Sequence, residues 1–444
     1  MSGLSLSWFG IVRLGLVQTA LGAIVVLTTS TMNRVMVVEL ALPAMLPGAL
    51  VAFHYAVQIS RPRMGYGSDV GGRRTPWIIG GMAVLAAGGV AAAIATAWMA
   101  SNPVGGIVLA VIAFAAIGVG VGASGTTLLV LLAKLVDDRR RAAAATIVWV
   151  MMIAGFAVTA GVAGQMLDPF SPERLVAVTA AVAVTAFLLS VIAVWNIERN
   201  VAEAPSRALK PAPASRPSFS QAMRQVWAEP AARRFSIFVF VSMLAYSAQD
   251  LILEPFAGLV FDYTPGESTQ LAGVQHAGVL VGMIVVAIAC SAVGGNRFGS
   301  IRSWMIGGCI ASAAALFGLA AGGFVGHEWP LRSTVFALGV ANGAFAVAAI
   351  GSMMALVNKG REKREGVRMG LWGAAQAIAF GLGGFIGTAA IDATRYLLES
   401  AASAYAIVFS LEAVLFLVAA KLAVQVSRDR AGSVALPLAV EGGR

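Results

Sequence analysis

Apolar residues along this chain come in long unbroken blocks with the polar residues gathered between them. That is neither the two-residue alternation of a strand nor the narrow stripe of a surface helix. A helix needs about 20 residues to cross the hydrocarbon core of a bilayer. Blocks suited to that task cover approximately residues 11–38, 42–60, 76–100, 104–133, 142–166 and 175–196. After a polar gap, six more cover approximately 235–261, 270–294, 303–325, 331–357, 367–391 and 402–426. The pattern predicts an all-α membrane protein of twelve transmembrane helices in two sets of six. The expected organisation is an N-terminal bundle over 1–197, a cytoplasmic linker over 198–233, a C-terminal bundle over 234–430 and a tail over 431–444. No basic side chain precedes the first apolar block, so that block is expected to remain as an anchor.

Composition sharpens this picture by exclusion. With 59% hydrophobic and 12% charged residues and a mean hydropathy of +0.83, the 444-residue chain lacks the polar surface of a soluble enzyme. The net charge of +10 reports topology and not a nucleic-acid partner. With both termini cytoplasmic, nearly all Lys and Arg fall on the inner segments, and only Arg174, Arg332 and Arg395 fall on the outer ones. Cys290 and Cys309 sit in apolar runs and offer neither a disulfide framework nor a metal site. The linker opens with a Pro, Ala and Ser-rich stretch expected to be disordered. It then changes character: Ser218 and Gln221 have capping-box spacing, and Phe219, Met223, Val226 and Trp227 share a face. A short amphipathic helix over 219–228, lying on the inner leaflet, is expected there.

The sharpest motif lies between the second and third helices, Gly65-Tyr-Gly-Ser-Asp69-Val-Gly-Gly72-Arg73-Arg74. Its G-x-x-x-D-x-x-G-R-R spacing resembles the signature of the major facilitator superfamily. Glycines allow close approach at a tight turn, while Asp69 can cap a helix and pair with arginine, a latch between two states. The equivalent loop of the second half, Gly294 to Arg302, has no acidic partner, so the latch is expected to be one-sided. The mixed-charge loops 134–141 and 358–366 correspond better, as parallel six-helix repeats would produce.

Polar groups inside spans are costly and usually face a partner or a cavity. The first helix carries Asn33, Arg34 and Glu39, and the seventh carries Gln249, Asp250 and Glu254. These are candidate cavity or inter-half positions, with a contact between Arg34 and Asp250 or Glu254 set against separate interfacial charges. His54 and His276 are candidate ligands for the magnesium of a chlorin, against the alternative of hydrogen-bonded packing. His327 belongs to an outer loop. Glu412 alone is plainly mid-membrane. Enzyme signals are missing: no metal-site spacing, no D-D-x-x-D-like diphosphate motif in a helix, and no P-loop. Gly118, Gly120 and Gly122 follow an apolar helix and are expected to serve close helix packing.

Three segments carry a narrower resemblance. Asn33-Arg-Val-Met-Val-Val-Glu-Leu40 followed by Pro43, Gln249-Asp-Leu-Ile-Leu-Glu-Pro-Phe-Ala-Gly-Leu-Val-Phe261 and Arg364-Glu-Gly-Val-Arg-Met-Gly-Leu-Trp372 resemble the PucC/LhaA family. That resemblance implies a non-enzymatic inner-membrane protein of phototrophic bacteria that assembles light-harvesting complexes. Its implied cargo is bacteriochlorophyll, with no metal or nucleotide cofactor of its own. The implied partners are antenna polypeptides, bacteriochlorophyll synthase, the membrane insertion machinery and the lipid bilayer. It carries over Gly65, Asp69, Gly72, Arg73 and Arg74 as gating-loop positions, and Gln249, Asp250 and Glu254 as functional polar positions. The competing expectation is a secondary transporter, an exporter or flippase of a tetrapyrrole or another lipophilic solute.

Overall fold

Helix starts are strongly marked in this sequence, and the structure, a computed structural model, uses those marks. It describes residues 6–61, 64, 73–198, 224–225, 227–290, 300–357 and 365–432, and among them there is no strand. The helices are α1 (Trp8–Glu39), α2 (Met45–Ser60), α3 (Thr75–Trp98), α4 (Pro103–Leu135), α5 (Asp138–Leu167) and α6 (Pro172–Val194). They continue as α7 (Pro230–Phe261), α8 (Pro265–Ala289), α9 (Ile301–Val325), α10 (Leu331–Val357), α11 (Glu365–Leu398) and α12 (Ala401–Gly432). Proline stands in the first turn of α3, α4, α6, α7 and α8, where its missing N–H costs nothing and its fixed φ suits the helix. The α8 start shows what the hydropathy pattern overlooked. A reciprocal capping box between Thr264 and Glu267 begins that helix at Pro265, ahead of the expected residue 270.

Eleven of these helices are long and apolar enough to cross a membrane, and α2 is a shorter apolar helix between two of them. The protein is therefore a multi-pass membrane protein. Contacts repeat at an interval of six helices. In the first six, α1 packs on α5 and α6, α3 on α4 and α6, and α2 on α4; in the last six, α7 packs on α11 and α12, α9 on α10 and α12, and α8 on α10. Two seams join these sets, α5 against α8 and α2 against α11, and advancing either pair by six gives the other. The buried core of the first set gains Leu251 and Ala272 from the second, and the core of the second gains Val37 and Ala44 from the first.

Glycine spacing sets the closeness of this packing. A Cβ added at Gly118 would lie 2.7 Å from the His54 carbonyl oxygen on α2, and one at Gly120 would lie 2.6 Å from the Leu85 nitrogen on α3. The expected packing role of this run is thus divided between two neighbours. The tightest approach to a neighbouring backbone is elsewhere, between α8 and α10, where Gly278 and Gly282 face Gly339 and Gly343.

Candidate functional site

The long polar run of α1 reaches the last six helices because α1 is not a regular helix. Leu27–Thr31 and Val35–Glu39 are π turns, each holding an extra residue and so rotating the faces of the next turns. Ser30 donates a short hydrogen bond to the Glu254 carboxylate of α7, and the Thr269 hydroxyl of α8 lies 3.4 Å from its other oxygen. Thr31 and Thr269 are hydrogen-bonded at 3.0 Å, and the Asn33 amide donates to the Leu251 carbonyl. Ser30, Thr31, Asn33, Glu254 and Thr269 are all buried, so a polar node ties α1 to α7 and α8 inside the protein.

Arg34 takes a different partner from the one expected. Its guanidinium pairs with Glu39 on its own helix and donates to the Tyr263 carbonyl at 2.6 Å. The reason is the second π turn: residues five apart stack in a π turn but diverge in an α-helix, so Glu39 reaches Arg34 first. The direct ion pair of Arg34 is thus local, and its hydrogen bond across the seam goes to a backbone carbonyl. A side chain at Gly258 would meet the guanidinium at 3.0 Å, so that glycine makes room for it.

Gln249 also differs from expectation. Its oxygen accepts from the Asn342 amide at 2.8 Å, and Asn342 accepts from Ser312 at 2.8 Å, a buried chain across α7, α10 and α9. Gln249 therefore holds the last six helices to one another and does not bridge the two sets. Asn342 and Ser312 do not stand out in the sequence, because one amide or hydroxyl in an apolar block gives no signal of its own. Asp250, one position on, has no hydrogen bond or ion pair, and its Oδ1 is buried.

The two histidines separate clearly. Both His54 nitrogens are engaged, Nδ1 with the Val51 carbonyl at 3.1 Å and Nε2 with the Gln58 amide at 2.7 Å. In this arrangement neither His54 nitrogen is free. His276 on α8 has no hydrogen bond; its Nδ1 and the neighbouring Gln275 amide nitrogen are buried without partners, and the Phe156 ring of α5 lies 4.9 Å away. His327 is exposed, 3.4 Å from Asp262.

Of the gating-loop positions, Gly65, Asp69 and Gly72 lie outside the described residues, as does most of the 219–228 segment. Arg73 is exposed and Arg74 buried. Glu198, which carries no motif in the sequence, accepts the backbone N–H groups of Arg74 at 2.7 Å and Thr75 at 2.9 Å, capping α3. Two further caps close the opposite ends of the seams. Asp392 of α11 accepts the N–H groups of Ala44 at 2.9 Å and Met45 at 2.7 Å at the start of α2. Asp168, just past α5, accepts from the Thr264 hydroxyl at 2.8 Å and the Gly266 N–H at 3.2 Å at the start of α8.

The polar node can be tested by changing its carboxylate. In Glu254→Gln a neutral isostere keeps an acceptor for Ser30, whereas Glu254→Leu strands the Ser30 hydroxyl, at about 1–3 kcal/mol for a buried group left unpaired, while Thr269 keeps its bond to Thr31. The thermal midpoint in mild detergent is expected to stay near wild type for the glutamine and fall for the leucine. Equal midpoints would remove the node as a structural tie.

The family model described as PUCC protein matches residues 31–431. The protein named Bacteriochlorophyll synthase 44.5 kDa chain, from Rhodobacter capsulatus, is 51% identical over 99% of this chain and 100% of its own length. Protein PucC from the same species is 28% identical over 93% of this chain and 91% of its own. Among solved structures, a bacterial homologue of the human lysosomal transporter Spinster, inward-facing and occupied, aligns with a TM-score of 0.67 at 15% identity, covering 95% of this chain and 96% of that one. The peptide transporter POT in complex with alafosfalin aligns with a TM-score of 0.69 at 14% identity, covering 96% and 97%. At such identities the likeness is one of fold, that of major facilitator superfamily transporters.

Proposed function

The chain belongs to the PUCC protein family, and from that premise we propose that it is an assembly factor for light-harvesting complexes that binds bacteriochlorophyll or delivers it to antenna polypeptides. The observation that carries this reading is the 51% identity, along essentially the whole chain, to a protein named for bacteriochlorophyll. We read the role as non-catalytic, since the sequence offers no diphosphate or magnesium ligand set for a prenyl transfer. The scaffold has twelve spans with both termini cytoplasmic in the bacterial inner membrane, and its bundles are 1–197 and 234–430. Bacteriochlorophyll synthase and the insertion machinery are its further partners.

His276 is the residue we assign to the pigment. Its unpartnered nitrogen is a suitable axial donor for a chlorin magnesium, and the Phe156 ring gives a flat apolar neighbour. Burial of Nδ1 means that the pigment reaches it only when the α5–α8 seam opens. The alternative reading, a secondary transporter of a tetrapyrrole or another lipophilic solute, draws on the fold shared with solved transporters.

Gentle purification from phototrophic membranes, followed by an absorption spectrum and identification of bound proteins, tests this reading. Stoichiometric bacteriochlorophyll together with antenna polypeptides or the synthase is expected, and His276→Ala should lower the pigment content. A pigment-free monomer that exchanges a solute in vesicles would overturn it in favour of transport.

A further inference from the structure

The buried node between α1, α7 and α8 carries a carboxylate whose charge nothing beside it balances. Arg34 is neutralised by Glu39 of its own helix, so Glu254, only 1% exposed, has no ion pair among the described residues. Other charged groups on the helices packed here do not supply one. On α1, Arg13 donates to the Ile192 and Trp195 carbonyls at the far end of the helix. On α7, Arg233 and Arg234 stand at the opposite end, and Asp250, one turn from Glu254, is a further acid. On α8, Glu267 caps its own helix and His276 lies beyond the node. The remaining neighbour, α3, touches the first π turn of α1 and has no titratable residue. A carboxylate left so in the membrane is costly, and the node is balanced by one positive charge, a proton or a monovalent cation.

The arrangement of oxygens favours the cation. Ser30 bonds one oxygen of Glu254, Thr269 Oγ1 lies 3.4 Å from the other, and Thr31 Oγ1 lies 3.0 Å from Thr269 Oγ1. Oxygens at right angles around a hard cation, each about 2.3–2.6 Å from it, are about 3.3–3.7 Å apart, so these groups need to spread little to form a shell. Asn33, one turn along α1 from Ser30, adds a buried Oδ1 with no hydrogen-bond partner. Its amide nitrogen is fixed to the Leu251 carbonyl, one turn before Glu254 on α7, so the free oxygen belongs to the same helix contact. A proton would occupy a single carboxyl oxygen and leave that acceptor unused. A divalent ion would exceed the charge of the one carboxylate. The backbone agrees with a ligand site: Ser30 and Thr31 belong to one π turn, and Asn33 stands between it and the next, in the kind of distortion that collects at functional sites.

We propose that Ser30, Thr31, Asn33, Glu254 and Thr269 hold a dehydrated sodium ion that locks α1 to α7 and α8. Each of the three helices supplies an oxygen, so the ion ties the first six helices to the last six, and this assignment does not depend on the cargo.

The test uses the full-length protein in mild detergent, exchanged into choline chloride and titrated with radioactive sodium chloride at constant ionic strength in a scintillation proximity assay. Saturable binding of one ion per chain is expected. Glu254→Gln should abolish it, and Ser30→Ala and Thr269→Val should each weaken it by about tenfold or more. Sodium should also raise the thermal midpoint of the wild type and leave that of Glu254→Gln in place. Without sodium those two should melt together, because a protonated carboxyl and an amide are isosteric. Absence of saturable sodium binding would overturn the site and leave a proton as the balancing charge. Equal stabilisation by potassium chloride, or sodium binding that survives Glu254→Gln, would overturn it as well. If Glu254→Gln fails to fold, the wild-type titration and the Ser30→Ala and Thr269→Val affinities still decide.

Discussion

Alanine at Gly282 or at Gly343 is expected to disrupt the last six helices more than any other single methyl group. A Cβ at Gly282 would lie 2.1 Å from the Val340 carbonyl oxygen, and one at Gly343 would lie 2.0 Å from the Val279 carbonyl oxygen. Gly339 and Gly278 are nearly as tight, at 2.1 Å from the Gln275 oxygen and 2.4 Å from the Phe336 oxygen. These are two G-x-x-x-G ridges facing each other, with backbone against backbone, and no rotamer change can relieve the clash. Overpacking against side chains commonly costs about 1–3 kcal/mol, and here the whole α8–α10 contact must separate. Gly80→Ala and Gly307→Ala are the controls, since a Cβ at either meets nothing within 4 Å. They should be neutral or gain up to about 1 kcal/mol of helix propensity. Thermal midpoints by fluorescence-detected size exclusion separate the outcomes. If Gly282→Ala and Gly343→Ala melt with the two controls, the helices are not in backbone contact.

The same contact shows what could and could not be read from the sequence. Length of an apolar block is a one-dimensional property, so the helices and their order were legible, as was the cost that makes Asn33, Glu254 and Asp250 conspicuous inside spans. Pairing is a three-dimensional property. Gly118 to Gly122 suggested close packing, yet the i, i+4 glycines of α8 and α10 made the closer approach, and nothing in either helix alone names the other. Arg34 illustrates a second limit. A reading at 3.6 residues per turn sends Glu39 to another face, and only the π turn brings it back. Asp168, Asp392 and Glu198 mark a third. Acids at the ends of apolar blocks look like ordinary interfacial charges until the helix start that each one caps is brought alongside by the fold.

Loss of Asp168 and Asp392 together is expected to release the far ends of both seams. Each carboxylate spans the boundary between the two helix sets and satisfies N–H groups at a helix start, and the six-helix repeat relates the two caps to one another. A cap of this kind is worth about 1 kcal/mol, and a carboxylate in the field of a partly buried helix start up to about 2 kcal/mol. The pair thus holds the far face closed by roughly 2–4 kcal/mol, so the double Asp→Ala variant should shift the closed-to-open ratio by a factor of about 30 or more. Gly266 is part of the device, because a Cβ there would meet the Asp168 carboxylate at 2.3 Å. A cysteine at Ala272, buried on α8 within the core of the first six helices, reports the opening once Cys290 and Cys309 are replaced by serine. A membrane-impermeant maleimide should label that cysteine slowly in the otherwise native chain, faster in either single variant, and fastest in the double variant. Single variants that each give the full rate would show that one cap suffices to hold both seams. Unchanged labelling in the double variant would mean that closure rests on the apolar seam and the Glu254 node alone.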